Sequence, residues 1–282
     1  KLINQVVLID YTIIILGGKT MRNSKTNELV LTGLFTAIII IMAFTPLGYI
    51  PLVVINATII HIPVILGSLF CGPKKGAFLG FVFGFTSCLK ATIVGGTLSS
   101  FVFSPVLAAS LVGTSGIFKS LFIAFVPRIL VGVIPYFVYI GIKKVLASEK
   151  KNLWGTVLNV LMSVFLAFGV YAFLGKMSES LSQAAALGIG IAVGAVVFIV
   201  VEAVFIRKST QVIPFVYAGV AGAMTNTLLV MGSIFVLYKD AYADAIGVAG
   251  NAVLGVITGV ISFNGVIEAI VAAIIAVSYT HL

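Results

Sequence analysis

HIPVILGSLFCGPKKGAFLGFVFGFTSCLKAT, residues 61–92, decides the fold: it holds the end of one apolar run, a turn with two lysines, and a second apolar run. The two runs are residues 54–71 and 75–92, each close to the ~20 residues that carry a helix across ~30 Å of hydrocarbon. Gly72 and Pro73 break the path between them, and Lys74 and Lys75 demand water or headgroups. Six more apolar runs lie outside this pair, at 29–45, 119–142, 153–175, 184–206, 213–238 and 250–277. Across the 282 residues, 61% are hydrophobic and 9% charged, and the mean hydropathy is +1.24. A soluble domain carries about 25% charged residues, so this chain cannot cover a water-facing surface. Soluble enzyme, nucleic-acid module and disordered linker are excluded. The predicted fold is an all-α polytopic membrane protein with about eight transmembrane helices.

The net charge of +9 follows from topology rather than from a nucleic-acid partner. With the N-terminus in the cytoplasm, the inside loops hold Arg22, Lys25, Lys74, Lys75, Lys143, Lys144, Lys150, Lys151, Arg207 and Lys208. The outer side holds Lys90, Lys119, Lys176 and Lys239, together with Glu179, Asp240 and Asp244. Ten basic residues against four set a multi-pass plasma-membrane orientation with both termini cytoplasmic. Cys71 and Cys88 show no CxxC spacing and read as small core residues. Residues 1–20 precede Met21 and contain an apolar run too short to span, so they read as a non-native or upstream leader. Residues 278–282, SYTHL, do not read as a native end.

Two connections depart from short loops. Residues 45–51, TPLGYIP, force an irregular outer segment by their prolines and glycine. Residues 93–118 are too apolar for a solvated loop and too broken by Gly and Pro for a span. Irregular backbone at membrane depth survives only where protein or a wet cavity satisfies its amides, so both segments are expected to fold over an outward-facing pocket. Small-residue ridges at Gly33 and Ala37, at Gly76, Gly80 and Gly84, and at Gly188, Gly190 and Gly194 fit close helix packing, or docking of a membrane partner.

No catalytic constellation is visible: HExxH, GxSxG and GxxxxGK[ST] are missing from the sequence, and the helices offer no set of metal ligands. No enzyme activity and no cofactor are expected. What remains are isolated polar groups in apolar helices, which are costly there and point to a cavity or a partner. Arg128, in FVPRILVG, needs an anion: a carboxylate ligand, Glu268, or a group on another subunit. Pro127 beside it can free a helix carbonyl. Asn226 and Asn264 either bridge helices or read the polar end of a small solute. Asn56 and His61 form another polar cluster, with Tyr49 in the preceding loop. Glu202 is expected to pair with Arg207 or the interface.

Residues 45–92 taken whole, TPLGYIPLVVINATIIHIPVILGSLFCGPKKGAFLGFVFGFTSCLKAT, resemble the signature region of the substrate-binding (S) components of energy-coupling factor (ECF) vitamin transporters. FVPRILVGVIPYFVY, GAMTNTLLVMG and FNGVIEAIVAAI are similar to the pantothenate-type branch. The resemblance covers roughly residues 29–146 and 213–277. It implies a six-helix core that binds one vitamin with high affinity. It also implies partners: a transmembrane scaffold subunit and two ATPase subunits of an ABC-type importer. The matching scaffold contact falls on Gly33 and Ala37. The expected substrate set is Arg128, Asn56, His61, Tyr49, Asn226 and Asn264, with pantothenate as the vitamin and Arg128 as its counter-ion. The alternatives are an S component for riboflavin, folate, cobalamin or a queuosine precursor, or a stand-alone secondary transporter. Against the six-helix pattern, residues 148–212 form an inserted two-helix hairpin, with core helices 1–4 in 21–147 and the last two in 213–277.

Overall fold

The computed structural model of the protein describes residues 25–51, 56–95, 99–177, 181–208 and 212–278. The leader, 1–20, and residues 279–282 of the tail lie outside them. The helices are α1 (Lys25–Phe44), α2 (His61–Cys71), α3 (Pro73–Ile93), α4 (Pro105–Val112), α5 (Thr114–Leu146), α6 (Lys151–Met177), α7 (Gln183–Lys208), α8 (Val212–Ile246) and α9 (Val253–Ser278). Six of them, α1, α3, α5, α6, α7 and α8, are long and apolar enough to cross a membrane. Shorter apolar helices, α2 and the Val253–Ser262 part of α9, accompany them.

The eight apolar runs each become a helix, with one internal surprise. The run 54–71 is not helical throughout: residues 56–58 form strand β2 (Asn56–Thr58), paired antiparallel with β1 (Tyr49–Pro51) in the register Tyr49↔Thr58. Pro46 and Pro51 deny the chain a continuous helix, and a hairpin between the two strands satisfies backbone groups that lipid could not. Ile59 N–H donates to the Gly48 carbonyl (3.0 Å) and closes the hairpin base. Gly48 fits there because a Cβ would overlap the Met42 carbonyl.

The α2–α3 turn rests on Gly72, whose φ of +85° favours glycine. Its N–H caps α2 at the Ser68 carbonyl (2.9 Å), and Pro73 starts α3 where a missing N–H costs nothing. Along α3 the glycine ridge meets the α5 backbone: Gly76 faces the Gly132 carbonyl, Gly80 that of Arg128, and Gly84 that of Ala124. Three small residues, one per turn, let two backbones touch without an apolar driving force. α5 packs in turn on α8, and α8 on α9, while α1 and α2 close the other side against α3.

The two larger apolar clusters among the described residues fill most of the core, with two small ones around Leu146 and Ile213 and around Met162 and Leu166. Phe35, Ile39, Ile60, Val64, Leu79, Phe83 and Val131 build one; Phe101, Ile123, Val230, Ile234, Tyr238 and Ile257 build the other. α6 and α7 pack chiefly on each other, through Gly190 and Gly194 of α7 against Ala167 of α6. The Arg207 side chain lies outside the described ones, and Glu202 has other partners. Its carboxylate accepts from Thr156 Oγ1 (2.8 Å) and Asn159 Nδ2 (2.5 Å) of α6, because the hairpin brings that helix alongside. The pair joins the rest of the bundle through α9 and through Tyr217 of α8, whose hydroxyl donates to the Leu158 carbonyl.

Candidate functional site

Arg128 lies near the middle of α5, which begins at Thr114, five residues before the apolar run suggests. Pro127 has no N–H to give the Ile123 carbonyl, so that acceptor is left over. Arg128 Nη1 donates to it at 2.7 Å. The helix thus turns its own side chain back along its axis and holds the guanidinium at one depth. Arg128 is only 6% exposed. Its charge sits over the rings of Phe103 (4.7 Å) and Phe83 (5.4 Å), a contact worth about 2 kcal/mol when desolvated.

Phe103 arrives from the second irregular connection. The chain makes a 3-10 turn at Ser100–Val102, and Ser104 then caps α4 by accepting from Leu107 N–H (3.2 Å). The Ser104 hydroxyl also bonds Thr92 Oγ1 of α3 at 2.8 Å, which pins the segment. Its neighbour Phe103 therefore reaches Arg128 from a fixed anchor. The segment folds back onto the bundle as expected, and the aromatic it delivers was not singled out in the sequence. A Ser-Pro pair opening a short helix is the signal that could have found it.

The opposite charge comes from α9. Glu268, 2% exposed, accepts from the Thr58 N–H of β2 (3.0 Å) and from Thr227 Oγ1 of α8 (2.7 Å). Arg128 is the cation whose field reaches it. Asn226 neighbours Thr227 on α8, buried, and its Oδ1 meets no hydrogen-bond partner among the described residues. Since α5 and α8 pack together, with Gly222 against Pro135, Asn226 falls one turn further along α8, toward the depth of Arg128. His61 is wholly buried in the first turn of α2, beside the Thr58 backbone.

Hydrogen bonds join Glu268 to Thr58 and Thr227, with His61 beside the Thr58 backbone and Asn226 next to Thr227 on α8, while Arg128 stacks on Phe83 and Phe103. Tyr49 and Asn56 stand on β1 and β2, and Asn264 on α9, one turn before Glu268; their side chains lie outside the described ones. Gly33 and Ala37 do not belong to this site. Both are exposed on α1, and a Cβ at Gly33 would meet nothing within 4 Å. A buried guanidinium with fixed direction, a carboxylate nearby and an amide oxygen awaiting a donor can hold a small solute that carries an anion and hydrogen-bond donors.

The family profile for the ECF transporter, substrate-specific component, matches residues 27–206, running on through α6 and α7. The pantothenic acid transporter PanT of Lactococcus lactis subsp. cremoris (strain MG1363) is 42% identical over 161 residues, 53% of this chain and 78% of that protein. The pantothenate transporter PanT of Leuconostoc mesenteroides subsp. mesenteroides is 37% identical over 119 residues. That match takes in 40% of this chain and about half, 51%, of the Leuconostoc protein.

Proposed function

This chain belongs to the family of ECF transporter substrate-specific components, and from that premise we propose that it is the membrane subunit that captures pantothenate for import. Arg128 carries the reading. Pantothenate has one carboxylate, and a buried arginine with its planar donor fork is the side chain best matched to one. The amide and hydroxyls of the vitamin supply donors for Asn226 Oδ1, which is buried without a partner among the described residues. Both relatives named for this vitamin support the assignment.

Binding needs no ATP in this account. The proposed energy source is a scaffold subunit and two ATPases, which the family description of a substrate-specific component supports. The positive-inside count supports a topology with both termini in the cytoplasm and the β1–β2 hairpin and α4 on the outer side. In this reading α1, α2, α3, α5, α8 and α9 are the six-helix core, and α6–α7 are an addition packed at its flank.

Calorimetric titration of the detergent-purified chain tests the proposal. Saturable submicromolar binding of pantothenate without ATP is expected, with no comparable heat from riboflavin, folate or cobalamin. Tight binding of one of those instead would move the assignment to another vitamin, and a folded chain that bound none would end it.

The exposed Gly33–Ala37 face is the proposed scaffold contact, since small residues let a partner helix approach closely. Gly33→Leu has room to be accommodated in the isolated chain. It is therefore expected to leave vitamin affinity unchanged while lowering uptake by cells that co-express the scaffold and ATPases by roughly tenfold or more. Unchanged uptake would place the contact elsewhere.

A further inference from the structure

We infer that Glu268 is a positioning residue for ligand binding: its buried carboxylate clamps the base of the β1–β2 hairpin to α8 and so holds one wall of the Arg128 site in place. The inference rests on the ligand-binding reading above, but the clamp itself is visible in the hydrogen bonds. Oε1 takes the Thr58 N–H at 3.0 Å and Oε2 takes the Thr227 hydroxyl at 2.7 Å. The two donors belong to elements 169 residues apart by number, and the carboxylate belongs to a third element, so one side chain ties β2, α8 and α9 together.

The point of attachment matters. Thr58 pairs with Tyr49, and the next residue, Ile59, donates to the Gly48 carbonyl. Both ends of the hairpin therefore converge on the residue that Glu268 holds. A backbone carbonyl could satisfy the Thr58 N–H as well. A buried carboxylate is costly at this depth, and what it adds is a second acceptor and charge-assisted strength on both bonds. Thr227 is itself buried, 5% exposed, next to Asn226. The clamp therefore fixes the hairpin relative to the same turn of α8 that faces the ligand. A wall held in this way slows escape of a bound molecule more than it slows entry.

The test uses the full chain in detergent, with labelled pantothenate and with hydrogen exchange on the ligand-free protein. Glu268→Ala is expected to raise the dissociation rate about tenfold or more, the scale of a lost hydrogen bond to a charged group, with association changed much less. Glu268→Gln keeps an acceptor for Thr58 and can donate to the Thr227 oxygen. It should restore dissociation to within about threefold of wild type, the neutral bond being the weaker one. In the ligand-free chain, Glu268→Ala should speed exchange of the Thr58 and Ile59 amides by about tenfold while the α3 amides keep their protection.

Unchanged exchange at Thr58 would overturn the clamp whatever the ligand proves to be. Fast exchange in a chain that binds no pantothenate would uphold the clamp and sink the vitamin assignment instead. Dissociation as fast in Glu268→Gln as in Glu268→Ala would overturn the positioning role in favour of a role for the charge. Should Glu268→Ala fail to fold, Thr227→Val decides: it removes one of the two bonds, and exchange at Thr58 must rise.

Discussion

Gly80→Leu leaves no folded, ligand-binding protein, and even Gly80→Ala lowers stability by about 3 kcal/mol, the upper end for overpacking a closely packed interface. A Cβ on Gly80 would overlap the Arg128 carbonyl oxygen and crowd the Ile129 Cα. The obstacle is backbone, which cannot rotate away as a side-chain tip can. Gly76 meets the Gly132 carbonyl in the same manner and Gly84 that of Ala124, 2.5 Å from where a Cβ would stand. A single enlarged residue must therefore lever α3 off α5 along the whole ridge, and α5 carries Arg128. Thermal denaturation of the purified chain checks the stability change, and vitamin titration checks the site. The contrast is Gly33→Leu on α1, where a Cβ would meet nothing within 4 Å, and this variant should melt with wild type. Equal melting of Gly80→Leu and wild type would mean that α3 and α5 are not packed as described.

Arg128→Ala abolishes capture of a carboxylate ligand. Removing one member of a buried charge pair costs about 3–5 kcal/mol, or roughly a hundredfold to several thousandfold in affinity. The cause is local to the site. Arg128 is held between the leftover Ile123 carbonyl and the rings of Phe83 and Phe103, so its charge stands where an arriving carboxylate would meet it, without rearrangement. Arg128→Lys recovers little, because an ammonium has neither the planar fork nor the same stacking on aromatic faces. The loss of affinity should exceed the loss of stability, which is limited to the stacking on Phe83 and Phe103 because the side chain's described hydrogen bond is within α5 itself. Titration of both variants, with melting as the folding control, reads this out. An affinity within threefold of wild type would remove Arg128 from the site.

The helices were legible in the sequence because lipid leaves little choice: runs near ~20 apolar residues must pair their backbone groups internally. The Gly76, Gly80 and Gly84 ridge and the Pro127–Arg128 pair were legible for a similar reason, since each has one local physical consequence. Contacts made far along the chain were not. Glu268 meets Thr58 across 210 residues, and no spacing rule connects them. Nor does any spacing rule connect Glu202 to Thr156 and Asn159, which the hairpin brings to it from the facing helix. The β1–β2 hairpin was half legible: the prolines of residues 45–51 pointed to irregular backbone there, whereas β2, Asn56–Thr58, lies inside an apolar run whose length suits a helix.

The central claim is that a buried arginine selects this ligand by its carboxylate. Its most direct test is parallel calorimetric titration of the wild-type chain with pantothenate and with panthenol, the analogue in which CH2OH replaces the carboxylate. Pantothenate is expected to bind about a hundredfold or more tightly than panthenol in the wild type, and Arg128→Ala to collapse this difference to within a few-fold. Equal affinity of the wild type for the two molecules, or a preference that survives loss of Arg128, would contradict the claim.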